Sequence, residues 1–261
     1  CSACVVVDGE VVADVWGGWT DAEKTKPWQH DTITNVWSTT KTMTALSAIV
    51  LVDRGDLDVD EPVATYWPEF AQQGKEGVLV RHLLSHTAGL PGYDPPISLE
   101  ELCDWDTSVE RLAAQAPWWE PGTASGYHAL TQGQLVGEVV RRISGLSLGA
   151  FFDKEIAGPL GADFHIGTGP EHDHRIAPVV SSGIALSGPD PLDPSSIPFR
   201  SLANPAIEQS VANLEAFRRV ELPACNGHGN ARSIVMLQSV ISNSGTVGGR
   251  TFLSPEGVEA L

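Results

Sequence analysis

The chain has 261 residues, 42% of them hydrophobic, and a formal net charge of −17 at pH 7. That length fits one large domain or two small ones with a sizeable core. The charge argues against nucleic acid or an anionic membrane surface as a partner, and against strongly anionic substrates in the absence of a local basic pocket.

The opening run ACVVVDGEVVADVWGG carries two apolar, β-rich segments around Asp8-Gly9. This is a tight-turn signal and predicts a hairpin over residues 3–17. A polar connection, DAEKTKPWQHDT, leads to NVWSTTKTMTALSAIVLVDRG, residues 35–55. There Met43, Leu46, Ile49 and Val50 recur at helical spacing, so a helix is expected from Thr40 to Val52, stopped at Gly55. A mainly helical middle follows, with VRHLLSHTAGL and a long amphipathic segment, ALTQGQLVGEVVRRISG. In the latter Leu130, Leu135, Val136, Val139 and Val140 form the apolar stripe and Gly145 marks the end. Residues 165–210, rich in Gly, Pro and Ser, read as irregular covering loops. NARSIVMLQSVISNSG restores a helix near residues 230–242. In LSPEGVEAL, Ser254 is an expected N-cap, Pro255 the first helical residue and Glu256 a first-turn acid. Three segments result: residues 1–55 with the hairpin and first helix, a mainly helical part over 56–210, and a return to the sheet domain over 211–261.

Cys1, Cys4, Cys103 and Cys225 show no Cys/His metal spacing. They are expected to be mostly buried thiols without a structural bridge. No apolar run reaches transmembrane length, and the acidic, cysteine-poor composition suggests a cytoplasmic protein.

Ser38 and Lys41 stand three apart at the start of the first predicted helix, on one face. One reading is a serine N-cap with a solvated lysine; a cation in the first turn, however, opposes the helix dipole. The other is a nucleophile beside its base. A serine hydroxyl reacts only when something takes its proton, and lysine can do so only when neutral, which burial promotes. The serine N–H at a helix N-terminus can then face a developing oxyanion. A third group is needed for proton transfer. Tyr127 follows a Pro-Gly turn and directly precedes the amphipathic helix, a position that can aim a phenol into a cleft; taken alone, the plainer reading is a tyrosine packed under the loop with its hydroxyl on a backbone carbonyl.

STTK, VRHLLSHTAGLPGY, PGTASGYHALTQGQLVGEVVRRISG and NGHGNARS occur in that order over essentially the whole chain. Together they resemble the serine β-lactamase-related hydrolases of the class C β-lactamase and D-peptidase superfamily, and especially the esterase branch, the family VIII carboxylesterases. The resemblance implies an α/β fold of the β-lactamase/transpeptidase type, an antiparallel sheet flanked by helices plus a mainly helical domain. It implies Ser38 as nucleophile, with Lys41 and Tyr127 as a coupled proton-transfer pair. No metal or organic cofactor is implied, and the partner is a small-molecule ester. Two departures stand out. Where class C β-lactamases have Y-x-N, this chain has Tyr127-His128-Ala129, and alanine cannot offer the amide hydrogen bonds of asparagine. This favours simple esters over β-lactams and peptides. The third family motif, a late strand, is expected beyond Leu261, so further C-terminal strands are expected outside this sequence, with that segment of the polypeptide as a partner. Gly227-His228-Gly229 imitates H-x-G in letters but reads as a turn before the Asn230 cap.

Other clusters are weaker. His82 and His86 are spaced i, i+4 without a third metal ligand, and Glu171–His174 reads as an exposed polar loop. Trp118 and Trp119 are candidates for an apolar acyl pocket, with core packing as the alternative, and His128 is a candidate substrate contact beside Tyr127. The rivals to ester hydrolysis are amide hydrolysis (as a β-lactamase, D-aminopeptidase or amide-oligomer hydrolase), acyl transfer, and a non-catalytic relative that only binds a ligand or a partner.

Overall fold

The computed structural model describes residues 1–180 and 193–259; part of the Gly/Pro/Ser-rich stretch lies outside them. Strands β1 (Ser2–Val7) and β2 (Glu10–Trp16) form the antiparallel hairpin. Its turn holds Asp8 and Gly9 at φ 50° and 82°, the left-handed region that Gly adopts freely and Asp tolerates. β3 (Ile33–Asn35) leads through a 3₁₀ turn at Trp37–Thr39 into α1 (Thr40–Asp53). The helical region then runs through α2 (Val63–Tyr66), α3 (Val80–Leu84), α4 (Leu99–Cys103), α5 (Trp105–Ala114), α6 (Thr131–Ser144), α7 (Leu148–Phe152) and α8 (Gly158–Leu160). β4 (Phe164–Ile166), β5 (Ile176–Ala177), α9 (Ile197–Leu202), α10 (Glu215–Arg219) and β6 (Gly227–Gly229) follow. α11 (Ala231–Ser242), the strand pair β7 (Thr246–Val247) and β8 (Arg250–Thr251), and α12 (Pro255–Glu259) complete the described chain.

α1 packs against α6 at the centre of the core. Met43, Leu46 and Val50 are buried as the spacing predicts, and α6 is buried on every side from Thr131 to Val140. Glu138 is therefore inside. Its carboxylate is satisfied by Trp105 Nε1 at 2.9 Å, by Arg141 Nε and Nη2 at 2.7 and 2.8 Å and by Arg142 Nε at 2.7 Å, as a buried charge requires. Lys75 is similarly enclosed and donates to the carbonyls of Gln72, Ala113 and Gln115. Gly145 ends α6 in the left-handed conformation, φ 72°. Asn230 caps α11 by accepting from Ser233 N–H at 3.0 Å, and Ser254 Oγ accepts from Gly257 N–H at 3.0 Å at the start of α12.

Four expectations need correction. The four-stranded sheet, in order β4-β6-β3-β5, is mixed: β3 and β5 run parallel, while β6 is antiparallel to both β3 and β4. Gly227-His228-Gly229 is not a turn but an inner strand of that sheet. A Cβ on Gly227 would fall 2.6 Å from Phe164 Cζ and 2.6 Å from Thr40 Oγ1, so glycine is what lets this strand lie against its neighbours. The stretch read as covering loops contains β4 from Phe164, β5, a 3₁₀ segment at Pro170–Arg175 and α9; strands of two or three residues are too short to show alternation. In the 3₁₀ segment, Asp173 pairs with Arg218 and Arg219. Finally, of the four cysteines only Cys225 is buried; Cys1 is exposed and Cys4 and Cys103 are half-buried, all free. Cys1 and Cys4 have C-x-x-C spacing, but Cys4 sits on the extended β1, which carries it ~10 Å from Cys1 at about 3.3 Å per residue, beyond bridging distance.

Candidate active site

The turn that carries Ser38 is fixed from both sides before any side chain reaches the cleft. Trp37 occupies the left-handed region at φ 47°, a conformation that costs energy for a bulky residue and persists only when neighbours impose it. They do. Trp37 N–H donates to Asn35 Oδ1 at 3.0 Å, Asn35 Nδ2 donates to Cys225 O at 3.0 Å, and Val36 N–H donates to Gly227 O at 2.9 Å. Thr40 Oγ1 donates to Trp37 O at 2.5 Å and accepts from Gly227 N–H at 2.8 Å. The N-cap of α1 is Thr39, without a side-chain cap bond. Ser38 is thus not a capping serine, and its side chain is exposed.

Three side chains meet there. Ser38 Oγ accepts from Tyr127 Oη at 2.8 Å and from Lys41 Nζ at 3.2 Å. Lys41 Nζ also donates to Ala129 O at 2.7 Å and Ala224 O at 2.8 Å, and lies 4.9 Å from the centre of the Tyr127 ring. Lys41 is 8% exposed. Burial lowers its pKa, while Tyr127 and then Cys225 pull it back up. When the amine is neutral, the two carbonyls take its two N–H bonds and its lone pair is left for the Ser38 proton. The geometry is one in which a neutral Lys41 could take a proton from Ser38.

Tyr127 is held by the residues behind it. His86, itself at φ 61°, accepts from His128 N–H through Nδ1 at 3.2 Å and from Gly126 N–H through its carbonyl at 3.1 Å. The His86 and Tyr127 ring centres are 4.9 Å apart. Burial, and then the Lys41 charge, lower the His86 pKa, so this ring adds no cation beside Lys41. His128 is not a substrate contact. It is fully buried, its Nδ1–H donates to Gly126 O at 2.6 Å, and its Nε2 accepts from Leu90 N–H at 3.1 Å. Burial brings its pKa to about 4, so it acts as a neutral strut. Trp119 backs the same loop: a Cβ on Gly126 would come 2.6 Å from Trp119 Cη2. Trp118 lies under Arg200 of α9, 3.9 Å from the guanidinium to the ring centre. Both indoles are half-buried, Trp118 against α9 and Trp119 against the Gly126 loop. His82 Nδ1 accepts from Leu79 N–H at 3.2 Å, apart from the Ser38 cluster.

The carbonyls of Ala129 and Ala224 were not foreseeable, because a backbone acceptor leaves no mark in side-chain identity. The trace that exists is Gly133 on α6, where a Cβ would come 2.4 Å from Ala224 N and 2.8 Å from Pro223 C. Gly133→Ala must push this segment off α6 and carry Ala224 O away from Lys41. The expected cost is about 1–3 kcal/mol, a Tm lowered by roughly 2–4 °C per kcal/mol, together with a fall in any activity that depends on Lys41. Thermal melting with parallel rate assays checks this; an unchanged Tm contradicts it.

A family model described as Beta-lactamase matches residues 1–253. The chain is 35% identical over 266 aligned residues to the esterase/beta-lactamase LipL of Mycobacterium tuberculosis, covering 98% of this chain and 62% of the relative. It is 33% identical over 177 residues to esterase EstB of Burkholderia gladioli, covering 61% of this chain and 44% of that relative. Thus the chain spans less than two thirds of either curated relative. Among solved structures, a family VIII carboxylesterase superposes with a TM-score of 0.92 at 40% identity, covering 99% of this chain and 68% of the other.

Proposed function

The chain belongs to the Beta-lactamase family, and on that ground we propose that it hydrolyses carboxylic esters through an acyl-enzyme on Ser38. The observation that carries this reading is the double contact on one exposed hydroxyl, Tyr127 at 2.8 Å and Lys41 at 3.2 Å. In the proposed reaction Ser38 Oγ attacks the ester carbonyl as its proton passes to Lys41 and Tyr127. The Ser38 N–H donates to the oxyanion. The C–O bond to the alcohol breaks, the pair returns the proton to the leaving oxygen, and the alcohol departs. Water, deprotonated by the same pair, then releases the acid.

Ester over amide is supported by Ala129, whose methyl side chain offers a substrate no hydrogen bond. The likeness to the esterase EstB and to the family VIII carboxylesterase supports it too. A small uncharged ester suits the net charge of −17. The acidic, cysteine-poor composition supports a cytoplasmic setting; among the described residues no helix is long and apolar enough to cross a membrane. The test is a substrate panel on the full chain: p-nitrophenyl butyrate, nitrocefin and a D-alanyl p-nitroanilide. The expected result is kcat/KM for the ester at least tenfold above either amide. A preference for nitrocefin makes it a β-lactamase, and a preference for the anilide an aminopeptidase.

A further inference from the structure

A cavity of about 310 Å³ opens beside Tyr127. Ser125, Gly126 and Tyr127 form one wall, and Ile197, Ser201 and Leu202 of α9 form much of the other, with largely apolar surfaces. Its size is at the lower end of small-molecule sites, which start at ~300 Å³. The α9 wall is fastened in place. Arg200 stacks on Trp118 and pairs with Asp94 at 3.3 Å, while Asn204 accepts from Ile97 N–H at 2.8 Å and donates to Tyr93 O. Yet Ile197 and Leu202 remain 38% and 54% exposed, as apolar groups awaiting an apolar occupant.

We propose that this cavity is the subsite for the alcohol part of the ester, and that it selects short to medium alkyl or single-ring alcohols. The inference rests on the ester-hydrolase reading. Once Ser38 Oγ is bonded to the carbonyl carbon, the leaving oxygen must come within hydrogen-bond distance of its proton donor, roughly 2.6–3.2 Å. Tyr127 Oη, 2.8 Å from Ser38 Oγ, is the exposed member of the pair; Lys41 is buried and tied to two carbonyls. The leaving oxygen therefore sits on the Tyr127 side, and its hydrocarbon continues past Tyr127 into the space that Tyr127 lines. The acyl chain, on the opposite side of the carbonyl, does not enter.

The experiment compares kcat/KM, which reports steps through acylation, for two ester series on the full chain. One series varies the alcohol at fixed acid (methyl, propyl, butyl and benzyl acetate), the other varies the acid at fixed alcohol (vinyl acetate to vinyl hexanoate). Each buried methylene is worth about three- to fourfold, so butyl acetate should exceed methyl acetate by about tenfold or more. Leu202→Trp, which fills the cavity from an exposed position, should bring that ratio within threefold. The ratio of vinyl butyrate to vinyl acetate should stay unchanged. Ile197→Ser, which removes apolar wall without adding side-chain bulk, should also lower the butyl-to-methyl ratio. If both variants alter the acid series and leave the alcohol series alone, the subsite is overturned while ester hydrolysis stands. If the parent shows no Ser38-dependent hydrolysis of any ester, the ester reading fails and this inference with it.

Discussion

Lys41→Met lowers kcat/KM for ester hydrolysis by about 10³-fold, the scale of losing a positioned general base. Methionine matches the length of the lysine stem but cannot accept the Ser38 proton. The effect on rate is separable from folding. Losing Nζ leaves Ala129 O and Ala224 O without that donor, at roughly 1–3 kcal/mol for each buried acceptor, and removing a poorly solvated amine offsets part of the cost. Circular dichroism and a melting curve should therefore show a folded protein of somewhat lower Tm. The pH profile gives a second signature. Lysine is a base only when neutral, so kcat/KM rises with pH and levels off above the Lys41 pKa. Burial moves that plateau below the ordinary lysine value of 10.5. The variant should lose this rising limb. Residual activity within tenfold of the parent, with the limb intact, assigns the base elsewhere.

Ser38→Ala abolishes turnover more completely, by about 10⁴-fold or more, as expected when the atom that forms the covalent intermediate is removed. Structurally the change is mild. Ser38 is exposed and its hydroxyl makes no contact that fastens the turn; that task falls to Asn35, Thr40 and the Gly227 backbone. The folded state should therefore keep its melting temperature within a degree or two. Loss of Tm together with rate would mean that the hydroxyl supports the fold rather than the chemistry.

Much of this was legible in the sequence, and for identifiable reasons. The hairpin announced itself through Asp8-Gly9, and α1 and α6 through apolar spacing and terminal glycines. The proximity of Ser38 and Lys41 follows from helical geometry, since residues three apart share a face. Tyr127 was placed by resemblance and by its loop position; its 2.8 Å approach to Ser38 depends on contacts across 89 residues that no local pattern encodes. The failures share a cause. β4, β5 and β6 are two or three residues long, so pairing partners alone make them strands, and Gly227-His228-Gly229 looks like a turn until Phe164 and Thr40 are seen against it. His128 was misjudged because adjacency to Tyr127 in sequence does not mean the same direction in space: its ring turns inward to serve Gly126 and Leu90. Trp118 packs under Arg200 and Trp119 against Gly126, long-range contacts that their adjacency in sequence does not encode.

The proposed reaction requires that Ser38 be chemically activated by Lys41 and Tyr127. Its most direct test is the intact mass of the full chain after exposure to a fluorophosphonate, with Ser38→Ala alongside. The expected result is one adduct on the parent, mapped to the peptide containing Ser38, and none on the variant. An adduct on both proteins, or on neither, contradicts it.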